Sequence, residues 1–236
     1  MHHLGQTRSA HRVNHLLQTP DTFVRAPLPG MEKATAIVHT APALGARFVQ
    51  YTAEFEAGGL LGPAALQRFL YVLEGVVEVN NAVLSSGDYA YFPAGHATSI
   101  SARTAARAAI IEKDYRALPH VPAPGCFTGR ENDIAATPLN EDCTLQVRAL
   151  MPDHPSFDFA VNTMTYLPGA ALSMVEIHVM EHGLLMLEGG GIYRLGDHWY
   201  PVAAGDFIWM APFCPQWFGA LGKSPAKYLI YKDWNR

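Results

Sequence analysis

The sequence carries one pattern twice. Residues 70–75 read LYVLEG and residues 184–189 read LLMLEG, while GDYAYFPAGHATS from Gly87 is matched by GDFIWMAPFCPQW from Gly205. Each copy runs through a short apolar segment, an E-G turn, a second segment, a G-D turn, an aromatic-rich segment and a proline-containing corner. Short runs rich in aromatic and β-branched residues and broken by glycine turns read as strands. A pattern duplicated along one chain predicts a duplicated structural unit. No amphipathic helical period extends over a useful length, so the expectation is an all-β chain of two tandem β-sandwich or barrel domains.

Composition agrees. With 16% charged residues, and 20 Gly and 17 Pro in 236 residues, the chain suits short strands and tight turns better than solvent-facing helices. Hydrophobic residues make up 49%, enough for sizeable cores. A net charge of -4 without a Lys/Arg cluster argues against a nucleic-acid partner or an anionic membrane surface. Cys126, Cys143 and Cys214 stand at unrelated spacings and suggest neither a disulfide framework nor a CxxC zinc site. With no signal peptide and no bilayer-spanning window, the expected location is the cytoplasm.

Residues 1–30 hold His2, His3, His11 and His15 and are expected to be a flexible polar arm. Residues 31–117 form the first barrel. Residues 118–143, rich in Pro, Gly and polar side chains, form a connection, and residues 144–236 form the second barrel.

The second copy places charges among apolar positions: MVEIHVMEHGLLMLEGGG, residues 174–191. These residues and those after Gly205 resemble the two motifs of the bicupin family. Gly169, Glu176-x-His178, His182 and Gly189 match the first motif, and Gly205 with Gln216 in place of the final His matches the second. Ala211 and Phe213 depart from the family's Pro and Gly at that corner, which leaves the aim of Gln216 open. The first copy keeps the scaffold residues Gly87, Pro93 and Gly95, but Thr98 stands in the ligand position and His96 has no partner ligands. Before Glu74 it offers only Gln67 and Arg68, so the first barrel is expected to be metal-free.

The resemblance implies two tandem β-barrel (jelly-roll) cupin domains with one metal, held by Glu176, His178, His182 and Gln216. In a strand, residues two apart share a face, which would send Glu176 and His178 together into the barrel, with His182 opposite on the next strand. Glu181, beside His182, would point away and outward. A lone buried His is more often a hydrogen-bonded core residue, but an unpaired buried Glu176 would cost several kcal/mol, roughly, without a cation. Two imidazoles, a carboxylate and an amide oxygen suit a hard or borderline divalent ion such as Mn²⁺, with Fe²⁺, Co²⁺, Ni²⁺ and Zn²⁺ as alternatives.

That ligand set, and the ending KYLIYKDWNR, resemble the (S)-ureidoglycine aminohydrolase family of bicupins in particular. The resemblance implies hydrolysis of ureidoglycine to (S)-ureidoglycolate and ammonia in purine (allantoin) breakdown, by an oligomer. Its substrate-contacting residues correspond to Tyr193, Tyr228 and Lys232, with Glu176 also at the reacting centre. Independently, Tyr228, Ile230 and Lys232 stand at i, i+2 and i+4 and share a face. Lys232 there either meets an anion or extends its ammonium to water. The implied roles are Lys232 on the substrate carboxylate and the two tyrosines on the ureido end. A water at the metal, Lys232 or a tyrosine could each move the proton. Two rival functions share the motif: another metal cupin enzyme (dioxygenase, decarboxylase or isomerase) and a non-catalytic ligand-binding cupin.

Overall fold

The computed structural model describes residues 6–236. Helix among them is confined to three single 3₁₀ turns, Pro20–Thr22, Pro42–Leu44 and Glu131–Asp133; everything else regular is strand. No helix among the described residues is long and apolar enough to cross a membrane. The chain divides into two compact units. One comprises Val24–Ile134 with His154–Asp158; the other comprises Ala135–Asp153, Phe159–Arg236 and the residues up to Phe23.

The first unit is a single curled antiparallel sheet. Its long strand Val49–Leu61 pairs with Ala106–Lys113 over one half and with Ile100–Ala102 over the other, and Met31–Thr40 runs along its opposite edge. Alternate residues point inward, so Tyr51, Ala53, Phe55, Leu70, Val72, Ala108 and Ile110 meet in one buried core. Buried within the unit, His39 bonds the Thr52 hydroxyl at 2.8 Å. Desolvation, with the Arg107 charge nearby, pushes its pKa down to about 3.

An unfolded histidine titrates near 6.5, so the unfolded chain binds the extra proton between pH 6.5 and 3, and stability falls as pH drops through that window. Unfolding in urea at pH 7 and pH 5 should differ by about 2 kcal/mol more in the wild type than in His39→Gln. An equal pH dependence in the two proteins would show that His39 does not contribute.

The second unit stacks two sheets. The larger runs in the order Ala10–His11, His15–Gln18, Phe207–Met210, His182–Glu188, Ala226–Asp233, Phe159–Tyr166, Asp142–Ala149, Thr137–Leu139. The smaller is His198–Ala203, Gly190–Leu195, Gln216–Ala220. Their inner faces bury Met164, Tyr166, Leu184, Met186, Tyr193, Phe218 and Tyr228 in one core.

The repeat in the sequence is a repeat in geometry. Gly75 and Gly189 of the two E-G turns both have positive φ, 75° and 65°, and a Cβ at either would lie 2.6 Å and 2.4 Å from a facing carbonyl oxygen. In the two G-D turns, Asp88 and Asp206 each accept a backbone N–H three residues back, from Ser85 and Ala203, both at 2.8 Å.

The two stretches read as an arm and a connection are built into the units. The strand His15–Gln18 pairs with Phe207–Met210 and places Leu17, fully buried, in the second core. Arg8 bonds the Asp206 carboxylate through both terminal nitrogens. The imidazole of His15 is buried between Asn14 and the Tyr200 hydroxyl, both at 2.9 Å. Strands Ala10–His11 and His15–Gln18 of the arm are therefore a sheet edge rather than a flexible tail, because Leu17 completes a core; His2 and His3 lie outside the described residues. The expected connection likewise contains structure. Phe127–Arg130 pairs with Asp88–Phe92, and buried Glu131 accepts from the Tyr71 hydroxyl at 2.6 Å. Thr137–Leu139 and Asp142–Ala149 form a hairpin around Asn140 and Glu141, both left-handed as a two-residue turn requires.

Candidate metal and substrate site

All seven residues expected at the site, Glu176, His178, Tyr193, His182, Gln216, Tyr228 and Lys232, line one cavity of about 110 Å³ in the second unit, walled by Leu139, Met164, Leu172 and Ile230. The segment carrying Glu176 and His178 is not the expected strand. Between Tyr166 and His182 the chain forms only single bridges, Ala171 with Gly219 and Glu176 with Gln216. Strand-like alternation survives without a ladder: Glu176, His178 and Met180 face the cavity, while Ile177 and Val179 are exposed.

Glu176 and Gln216 exchange backbone hydrogen bonds of 2.8 and 3.0 Å, which fixes the two side chains beside each other. The backbone N–H of Phe213 donates to the His178 carbonyl at 2.7 Å. Phe213 achieves this with φ 63°, the left-handed conformation that the family's glycine would adopt without strain. The corner is thus kept despite the departures at Ala211 and Phe213, at a cost of about 1–2 kcal/mol.

Four electron-pair donors converge here. The Nε2 atoms of His178 and His182 are 3.3 Å apart, the Gln216 amide nitrogen is 2.7 Å from His178 Nε2, and the nearer Glu176 carboxylate oxygen is 4.0 Å from it. A half-turn of the Gln216 amide presents its oxygen at the same point. Donors bound to one ion at about 2.1 Å and at right angles lie about 3.0 Å apart, so the observed spacings fit a shared cation. Among the described residues, no three His, Cys, Asp or Glu side chains are drawn into a closed cluster. Here the acid stands at the wide end and an amide takes a close position.

His182 donates from Nδ1 to the Tyr231 carbonyl at 3.1 Å, leaving the Nε2 lone pair directed at His178. Burial, with the Lys232 and His178 charges, pushes its pKa down to about 3, so the ring is the neutral imidazole that a metal requires. Glu176 has no Lys or Arg ion-pair partner among the described residues, and the Nδ1 atom of His178 is buried without a hydrogen bond.

Lys232 lies opposite His182 in register and reaches the cavity half-buried. Desolvation lowers its pKa, while the Glu176 charge acts in the opposite direction. Tyr193 and Tyr228 are buried, and burial together with neighbouring tyrosines and Glu176 raises both well above the usual phenol value. Glu181 does point away from the cavity, but it is not exposed: that face is also covered, and the Trp209 indole N–H donates to its carboxylate at 2.7 Å.

Three neighbours were not foreseen. The Tyr166 hydroxyl is 2.7 Å from that of Tyr228. Asn162, with its amide oxygen turned toward Lys232, accepts from Nζ at 3.1 Å. Leu139 comes from the stretch read as a connection. A polar Asn162 alternating with Met164 and Tyr166 was the available hint, but the strand that each faces could not be read locally.

The first unit fills the corresponding positions with its own charges. Arg68, two residues before Leu70 as His182 is before Leu184, donates to Glu112 at 2.7 Å and to the Gly62 carbonyl at 2.8 Å. Glu112, which faces Arg68 as Lys232 faces His182, also accepts from Tyr51 at 3.0 Å. Gln67 is tied to Asp158 and Tyr91, and Thr98 to His96 and Asn80.

The comparisons with known proteins agree with this architecture. Residues 162–231 match the family model described as Cupin domain, and residues 43–115 match the EutQ-like cupin domain. The (S)-ureidoglycine aminohydrolase of Arabidopsis thaliana is 40% identical over 98% of this chain and 80% of its own length. That of Escherichia coli is 30% identical over 94% and 89%. The crystal structure of the E. coli protein Ylba superposes with a TM-score of 0.86 at 27% identity, over 99% of this chain and 96% of that one. The chain is a two-domain cupin and belongs to the (S)-ureidoglycine aminohydrolase family.

Proposed function

We propose that this chain hydrolyses (S)-ureidoglycine to (S)-ureidoglycolate and ammonia in allantoin breakdown. The observation that carries the reading is the single cavity that gathers the four convergent donors, a half-buried Lys232 and two tyrosine hydroxyls, in a chain whose relatives bear that name. Glu176, His178, His182 and Gln216 would hold a divalent ion, Mn²⁺ by preference because two of the donors are oxygens and none is a thiolate. When bound, the ion supplies a Lewis acid and an orienting template.

The reaction breaks the bond between the central carbon and its amine, forms a bond from that carbon to a water oxygen, and delivers a proton to the departing nitrogen. Lys232 would neutralise the substrate carboxylate, an interaction strengthened by the desolvation that lowers its own pKa. Asn162 holds that ammonium through its amide oxygen. Tyr193 and Tyr228, kept protonated by burial, offer O–H donors to the ureido end. The apolar wall of Leu139, Met164, Leu172 and Ile230 excludes bulk water from around these charges.

The test is ammonia release from ureidoglycine generated in situ from allantoate, using Mn²⁺-loaded protein with Glu176→Ala as control. Release well above the spontaneous rate, giving the S product and lost in the control, is expected. No acceleration by protein that retains its metal would reject the substrate.

A further inference from the structure

Tyr228 lines the cavity, and among the described residues its hydroxyl has one hydrogen-bond partner, the hydroxyl of Tyr166 at 2.7 Å. Tyr166 is fully buried and does not line the cavity. In the strand pairing it stands opposite Ala226, two residues before Tyr228, so its ring crosses diagonally over a small residue. Phe218 packs edge-on against both rings, at centroid distances of 4.9 Å from Tyr166 and 5.8 Å from Tyr228. Held this way, Tyr166 has no second acceptor for its proton among the described residues.

Each hydroxyl carries one proton and two lone pairs. Burial keeps both tyrosines protonated. Of the two protons, only one can lie between the oxygens. Were Tyr228 the donor, the Tyr166 proton would be left buried without an acceptor. With Tyr166 as donor, the second proton belongs to Tyr228, the residue that borders the cavity and can direct it at a ligand.

We infer that Tyr166 is a positioning residue: by donating to Tyr228 it turns the Tyr228 O–H into the cavity, so that Tyr228 presents a donor to a hydrogen-bond acceptor of the substrate. Lys232 lies four residues along the same strand, about 13 Å in backbone distance, so one substrate group does not serve both anchors. If the substrate carboxylate goes to Lys232, the strongest acceptor left for Tyr228 is the ureido carbonyl. The inference rests on the ureidoglycine reading only for that final assignment.

Two measurements test it. The first is an ultraviolet resonance Raman difference spectrum of wild type minus Tyr166→Phe, without substrate. The lost tyrosine should carry the ring-vibration signature of a hydrogen-bond donor; an acceptor signature overturns the inference. The second is a double-mutant cycle in kcat/KM on ureidoglycine. Tyr166→Phe should lower it by about tenfold, the scale of one hydrogen bond, and cause no further loss in the Tyr228→Phe background. Additive losses would show that Tyr166 acts through packing and would overturn the positioning role. Should the wild type release no ammonia, the function proposal fails, while the Raman result still decides which tyrosine donates.

Discussion

Replacing His182 with alanine should strip the metal and lower ammonia release by at least about three orders of magnitude. Loss of an orienting partner of a metal-bound histidine costs 10–100-fold, roughly, in affinity or activity, and loss of the ligand itself should cost more. His182 is nearly fully buried, its Nδ1 is fixed by the Tyr231 carbonyl, and its Nε2 faces His178. Metal content after dialysis and turnover should be measured together, with near-ultraviolet circular dichroism to show that the core survives. A variant that keeps both metal and turnover would mean that the ion binds elsewhere. His178→Ala should behave alike, because His178 stands between His182 and Gln216.

Lys232→Met should separate activity from stability. Methionine keeps the length of the side chain but removes the ammonium, so the metal should stay while kcat/KM falls by about 100-fold or more, the scale of a lost charge-assisted contact in a dry site. Stability should move the other way. Desolvation lowers the Lys232 pKa below its unfolded value, so between those two values the unfolded chain binds the extra proton and stability rises with pH. Below that window the wild type carries the full cost of the partly buried charge. The variant is relieved of it, and its urea midpoint should equal or exceed that of the wild type even though Asn162 loses its donor. Full turnover in Lys232→Met would remove this residue from substrate binding. A large drop in stability would show instead that the ammonium holds the barrel together.

Much of this site was readable because its signals are local. The spacing of Glu176, His178 and His182 lies within seven residues. The alternation that turns Glu176 and His178 inward persists even where no strand forms, because it needs only an extended backbone. The E-G and G-D turns repeat because glycine and aspartate act on the few residues beside them. The exposure of Glu181 was misjudged for the complementary reason: period two says which face a residue takes, not whether that face is covered. The same limit hid the strands within residues 10–18, whose Leu17 finds its core only beside Phe207–Met210.

By itself the sequence determined the all-β duplication, the turns, the donors and the inward set Tyr228, Ile230 and Lys232. Only the tertiary structure decided which residues stand behind them: Tyr166 behind Tyr228, Asn162 behind Lys232, and Leu139 on the cavity wall. The first two pairings depend on register between strands some sixty residues or more apart in the chain. Register comes from the summed packing of whole strands, and a slip of one residue would turn every one of these side chains to the other face. No short stretch of sequence records that choice.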